Sequence, residues 1–138
     1  MSGLDREDAD VARTTIYFTH YLFEVCGLLG MSDLARRRME LWFGLADLGF
    51  ATAPEAPEPS RSDCHAWSSH PIHHLVATFC GVRPSQPGFR AWEVRPLGGF
   101  GSELRMVIPH PDGELRIEAR QRSGENPRVD VQLAPSSR

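Results

Sequence analysis

Between Glu55 and His74 the sequence gathers Glu55, Glu58, Asp63, Arg61, Cys64, Trp67 and the histidines His65, His70, His73 and His74. Three chemistries compete for this set. His70 and His74 stand four residues apart on one helix face and can share a zinc ion, with Cys64 or His65 as further ligands. No His-Glu-x-x-His base and no CxxC accompanies them, and histidines so spaced serve equally as helix surface. A structural reading makes the prolines a fixed connector and Trp67 the plug of a hydrophobic gap. A sugar-processing reading uses a carboxylate as general base, a histidine as hydrogen-bond donor to hydroxyls and an aromatic ring stacked on a pyranose face.

These residues must be held by the elements around them. Thr14 to Leu29 is apolar nearly all round a helix, broken only by His20 and Glu24, and such a helix wants burial on every side. Gly30 is its C-terminal stop, and Ser32 or Asp33 caps the next helix. In Leu34 to Leu48 one face carries Leu34, Met39, Leu41, Trp42, Leu45 and Leu48, which predicts an outer, half-solvated helix ended by Gly49. The proline-rich stretch from Ala51 to Asp63 can be neither helix nor central strand. A third helix starts near Pro71, carries Ile72, Leu75, Val76, Phe79 and Cys80, and closes at Gly81. Pro84 to Gly88 is a linker by composition.

Beyond it the period falls from 3.6 to 2. Trp92, Val94 and Pro96 alternate with charged residues; Leu104, Met106 and Ile108 lead into the turn His110-Pro111-Asp112-Gly113; Leu115, Ile117 and Ala119 lead out. Val129, Val131 and Leu133 offer a last strand. The expectation is an α+β chain whose tail is antiparallel and apolar on one face, as part of a sandwich.

Composition removes several functions. The chain has 138 residues, a net charge of -3 and 15 basic residues, all of them arginine. Lysine nucleophiles, Schiff bases and P-loops are thereby excluded. The charge balance argues against a nucleic-acid partner, and the longest apolar run is too short to span a bilayer, so no membrane partner is expected either. Cys26, Cys64 and Cys80, odd in number and widely spaced, read as free thiols in a reducing, cytoplasmic setting.

The string Thr52-Ala53-Pro54-Glu55 through Ser62-Asp63-Cys64-His65-Ala66-Trp67-Ser68-Ser69-His70-Pro71 resembles the end of the catalytic domain of bacterial α-L-rhamnosidases, glycoside hydrolase family 78. Leu45-Ala46-Asp47-Leu48-Gly49 upstream resembles the approach to that family's Thr-x-x-Glu segment. Downstream, Gly81-Val82-Arg83-Pro84, Pro87-Gly88-Phe89, Pro96-Leu97-Gly98 and Pro109-His110-Pro111-Asp112-Gly113-Glu114 resemble the passage into its C-terminal β-sandwich. The likeness covers about residues 14 to 133.

The resemblance implies a helical segment from the end of an (α/α)6 barrel over residues 1–86, followed by an antiparallel β-sandwich segment over 87–138. It implies inverting hydrolysis of terminal α-L-rhamnosides, with a rhamnose-containing glycoside as partner and no cofactor. Glu55 matches the general base and His65 the histidine that contacts rhamnose. The position before the base, often aromatic in the family, is Pro54 here, and Glu58 is the competing carboxylate.

Trp67 either stacks on sugar or packs under the loop. Asp63 and Arg61 are expected to pair, Cys64 to be a buried inert thiol, and His70, His73 and His74 to be structural. Nothing matches the family's general acid. Asp5-Arg6-Glu7-Asp8 reads as a solvated charge run. The resemblance therefore implies a C-terminal portion of the enzyme, weak or inactive alone, that needs an N-terminal partner chain or self-associates. The alternative is a carbohydrate-binding or interaction module without catalysis, with Trp92 as its platform if exposed.

Overall fold

Left-handed Gly30 (φ 70°) ends the first helix, α1 (Thr19–Leu29), and the second, α2 (Ser32–Phe43), starts after Met31. These and the following elements come from a computed structural model that describes residues 14–56 and 59–135. The chain forms two compact units, Met1–His74 and Leu75–Arg138. Glu58 and the Asp5-Arg6-Glu7-Asp8 run lie outside the described residues.

In the first unit α1 buries Thr19, Leu22, Phe23 and Cys26 on one face, and α2 buries Leu34, Ala35 and Met39. Burial of α1 on every side is not observed: Phe18 and Tyr21 are exposed, and Leu28 is 84% exposed. Neither Ser32 nor Asp33 caps α2, whose N-cap position is Met31 with no side-chain bond. The helix also stops at Phe43, and the chain runs on in turns to Gly49, which leaves Leu48 exposed. A 3₁₀ turn, Ala66–Ser69, leads into α3 (His70–His74) with Pro71 in its first turn, where a missing N–H costs nothing. No helix among the described residues is long and apolar enough to cross a membrane.

The second unit opens with a π-helical turn, Leu75–Phe79. Next comes a small antiparallel hairpin of β1 (Val82–Pro84) and β2 (Trp92–Val94). β3 (Glu103–His110), β4 (Gly113–Arg120) and β5 (Arg128–Pro135) form an antiparallel sheet in the order β3-β4-β5. Central β4 alternates strictly: Leu115, Ile117 and Ala119 are buried while Glu114, Arg116, Glu118 and Arg120 face water. Register pairs Ile117 with Met106 and Val131, and Ala119 with Leu104 and Val129, so the apolar face is continuous across three strands. Cys80, Val82, Ile117 and Ala119 are the center of the core, with Val76, Phe89, Trp92 and Phe100 packed against them.

The architecture is thus mixed α+β with two antiparallel sheets. Two approaches demand glycine. A Cβ at Gly81 (φ 67°) would overlap the Arg95 carbonyl, and one at Gly113 would overlap the carbonyl of Ala134.

Candidate functional site

The described residues on either side of 57–58 in the proline-rich stretch pair as a clasp. Glu55 N–H donates to Ser62 O and His65 N–H to Ala53 O, both at 2.8 Å, and the Thr52 hydroxyl donates to the Asp63 carbonyl. Pro54 is fully buried beneath these rungs. The clasp thereby carries Glu55 on one arm and His65 on the other, ten residues apart in sequence but bridged by backbone bonds.

Glu55 and Trp67 line one cavity of about 500 Å³ together with Thr14, Tyr17, Leu41 and Arg61. Tyr17 and Trp67 form an aromatic wall, ring centroids 5.1 Å apart, and the Tyr17 hydroxyl lies 3.2 Å from that of Tyr21. That bond raises the Tyr17 phenol above its ordinary value. His65 lies against Trp67, ring centroids 4.1 Å apart and planes tilted by 46°, and does not line the cavity. Trp67 is 44% exposed, so it is a platform as well as a packing element.

Three expectations are corrected. Arg61 pairs with Glu55, not with Asp63, because the clasp folds the two facing arms onto each other. Cys64 is exposed, since it sits on the outer edge of that clasp, and the buried thiols are Cys26 and Cys80. Burial pushes Cys26 up and Cys80 to about 11. Trp92 packs against the core of the second unit and is not an open platform.

A second cluster lies in the first unit, between α1 and α3. His20 Nδ1 is 2.9 Å from His74 Nε2, and Glu24 Oε1 is 3.7 Å from His74 Nδ1 and 3.9 Å from His73 Nε2. His70 packs edge-on against Trp42 and Phe23 and donates from Nε2 to the Ile16 carbonyl at 2.9 Å. Burial holds the His70 imidazole below its ordinary value, and His20 and His73 push the same way against that carbonyl. One ring nitrogen from each of His20, His70 and His74 lies within 4.8 Å of the others, and Glu24, His73 and His74 make a second such group. Neither group contains Cys64 or His65, the partners expected from sequence.

Sequence reasoning treated His20 and Glu24 only as interruptions of an apolar run. The signal was present in their spacing. They stand at i and i+4, one face of a helix, as do His70 and His74.

No protein-family model and no curated protein matches this chain.

Proposed function

We propose that this chain is the C-terminal portion of an inverting α-L-rhamnosidase, with Glu55 as the general base, Trp67 as a sugar-stacking ring and His65, which packs on Trp67 outside the cavity's lining, as the support of that ring. The supporting observation is the cavity that joins Glu55 to the Tyr17–Trp67 wall, across more than thirty residues of intervening chain. A carboxylate beside an aromatic face is what a pyranose needs, one group for a hydroxyl or a water and one for the ring's apolar side. Arg61 pairs with the Glu55 carboxylate. In this reading residues 1–86 end an (α/α)6 barrel, whose other helices cover Phe18, Tyr21, Leu28 and Leu29 of α1, and 87–138 belong to its sandwich. The same exposed residues serve self-association where no partner chain is present.

Inversion requires a second carboxyl about 6.5 to 9.5 Å from the base. Among the described residues Glu55 is the cavity's only carboxylate. Rhamnose binding without turnover is therefore expected. Saturation-transfer NMR with rhamnose should give signals that Trp67→Ala abolishes, while an aryl α-L-rhamnoside stays uncleaved. Absence of rhamnose binding removes the sugar reading. Turnover abolished by Glu55→Gln removes the portion reading in favour of a complete enzyme.

The alternative of a binding module without catalysis draws support from one feature. The Arg61 guanidinium occupies the Glu55 carboxylate, which favours holding a hydroxyl over activating a water. The module on this reading is the first unit, since Trp92 is packed away.

A further inference from the structure

We propose that His20, His70 and His74 form a three-imidazole site for a divalent transition metal of the zinc class, with Glu24 as a positioning carboxylate behind His74. None of His20, Glu24, His70 and His74 lines the cavity at Glu55, and the two places meet only at Ile16, whose carbonyl backs His70; the site stands independently of the sugar reading.

Three observations carry it. First, α1 and α3 bring one ring nitrogen of each histidine within 4.8 Å of the other two. Tetrahedral zinc with Zn–N bonds of about 2.0 to 2.1 Å sets its ligand nitrogens about 3.3 Å apart. The His20 Nδ1 to His74 Nε2 separation of 2.9 Å is already on that scale, and the set, spanning at most 4.8 Å, must draw in around the ion. Second, the Ile16 carbonyl takes the Nε2 proton of His70 and leaves the lone pair on Nδ1, which is buried and without a hydrogen-bond partner. A buried lone pair without a donor is costly, and a cation satisfies it. A backbone carbonyl behind the ring is also how metal-bound histidines are held in their tautomer. Third, Glu24 Oε1 lies 3.7 Å from Nδ1 of His74, the nitrogen facing away from His20. A carboxylate there orients the ring and offsets one of the ion's two charges, as in carboxylate–histidine–metal arrangements.

The donors select the ion. Neutral imidazoles suit zinc, copper or nickel, and a set without carbonyls or several carboxylates does not suit calcium or magnesium. Binding at His20 and His74 displaces the proton now shared between them, which passes through solvent to the other nitrogen of the ring that carried it, so that both rings bind as neutral imidazoles. Three protein ligands leave the fourth position to water. The competing group of Glu24, His73 and His74 uses His74 Nδ1 instead, and its His73 side chain is 57% exposed and must be ordered to bind. The ion would tie α1 to α3 across 54 residues of chain, a cross-link that stabilises the first unit in proportion to the logarithm of free metal.

The test uses the full untagged chain carrying Cys64→Ser, which removes the exposed thiol. Zinc is titrated in competition with a chromophoric chelator, and cobalt(II) reports geometry through its visible bands. One equivalent is expected, with a tetrahedral cobalt spectrum and a thermal midpoint that rises with zinc. His20→Ala and His70→Ala should each weaken binding on the order of 100-fold or more, and Glu24→Gln about 10-fold with the cobalt spectrum unchanged. His73→Ala should bind as the parent does. For variants that fail to fold, imidazole ¹⁵N NMR of the parent replaces them: zinc should shift His20, His70 and His74 and leave His65 and His110 in place. Absence of micromolar binding overturns the site. So does loss of binding in His73→Ala with retention in His70→Ala, or ¹⁵N shifts confined to His73 and His74, either of which assigns the ion to the other group.

Discussion

Both units bury apolar side chains, but only the first adds a cluster of imidazoles to them. In the second, the sheet buries an apolar face, with Leu115, Ile117 and Ala119 pointing in, and Thr78 and the His110 side chain are buried beside it, while Glu103, Arg120 and Glu118 make a ladder of ion pairs on the solvent face. Hydrogen bonds from Arg120 and Arg105 hold the Glu103 carboxyl below its usual range. In the first, His74 is fully buried, His20, Glu24 and His70 are half-buried, and Phe18, Tyr21 and Leu28 lie in water. A unit that sets a cluster of imidazoles beside its apolar core and leaves large apolar groups in water is not arranged for its own stability alone.

The largest effect should come from emptying each core. Phe23→Ala in the first unit is expected to cost about 3 to 5 kcal/mol and Ile117→Ala in the second about 2 to 5 kcal/mol, because both side chains are fully buried. Urea unfolding measures both. A cost below 1 kcal/mol for Phe23→Ala would mean that the helical unit has no packed core and would dissolve the contrast.

The glycines sharpen it. Gly81→Ala puts a methyl into the Arg95 carbonyl and must also hold a left-handed residue, whereas Gly30→Ala, at φ 70°, meets nothing within 4 Å. The second change should cost about 1 to 2 kcal/mol, the conformational penalty alone, and the first distinctly more. The Gly81 carbonyl is also part of a strap, since Arg95, Leu97 and Gly98 N–H donate to the carbonyls of Gly81, Thr78 and Phe79. Equal costs for the two substitutions would show that this strap yields.

What the sequence discloses follows the same division. The hairpin at His110-Pro111-Asp112-Gly113 and the alternation of β4 are local patterns of period 2, so both could be read and both are present. Gly30, Gly81 and the non-helical character of the proline-rich stretch were equally legible. The exposed face of α1 was not, because an all-round apolar helix gives no moment to say which side is covered. Nor was the pairing of Arg61 with Glu55, which depends on how the clasp closes. The histidine cluster needed a contact between residues 54 apart, and periodicity within one helix carries no information about which other helix faces it.

The thiols offer a smaller effect. Cys64 should react alone with a disulfide reagent in the native chain at pH 8, where Cys80, held at about 11 by burial, is about one part in a thousand thiolate and is shielded as well. Denaturation should release all three thiols. Native reaction of Cys26 or Cys80 at the rate of Cys64 would show that the core around it opens freely.

The smallest effect tests what the surface of the first unit is for. Leu28→Gln removes a side chain that is 84% exposed, so it should change stability by less than about 0.5 kcal/mol. Val107, 60% exposed on β3, should behave alike when changed to Thr, since a single exposed apolar group on a charged sheet face is ordinary. The two differ in their company. Leu28 adjoins Leu29 on α1, whereas Val107 faces Arg116 across the β3–β4 pairing. A destabilisation above 1 kcal/mol for Leu28→Gln, growing with protein concentration, would show that copies of the chain cover one another there. An effect near zero at every concentration would show that this face stays bare in the isolated chain.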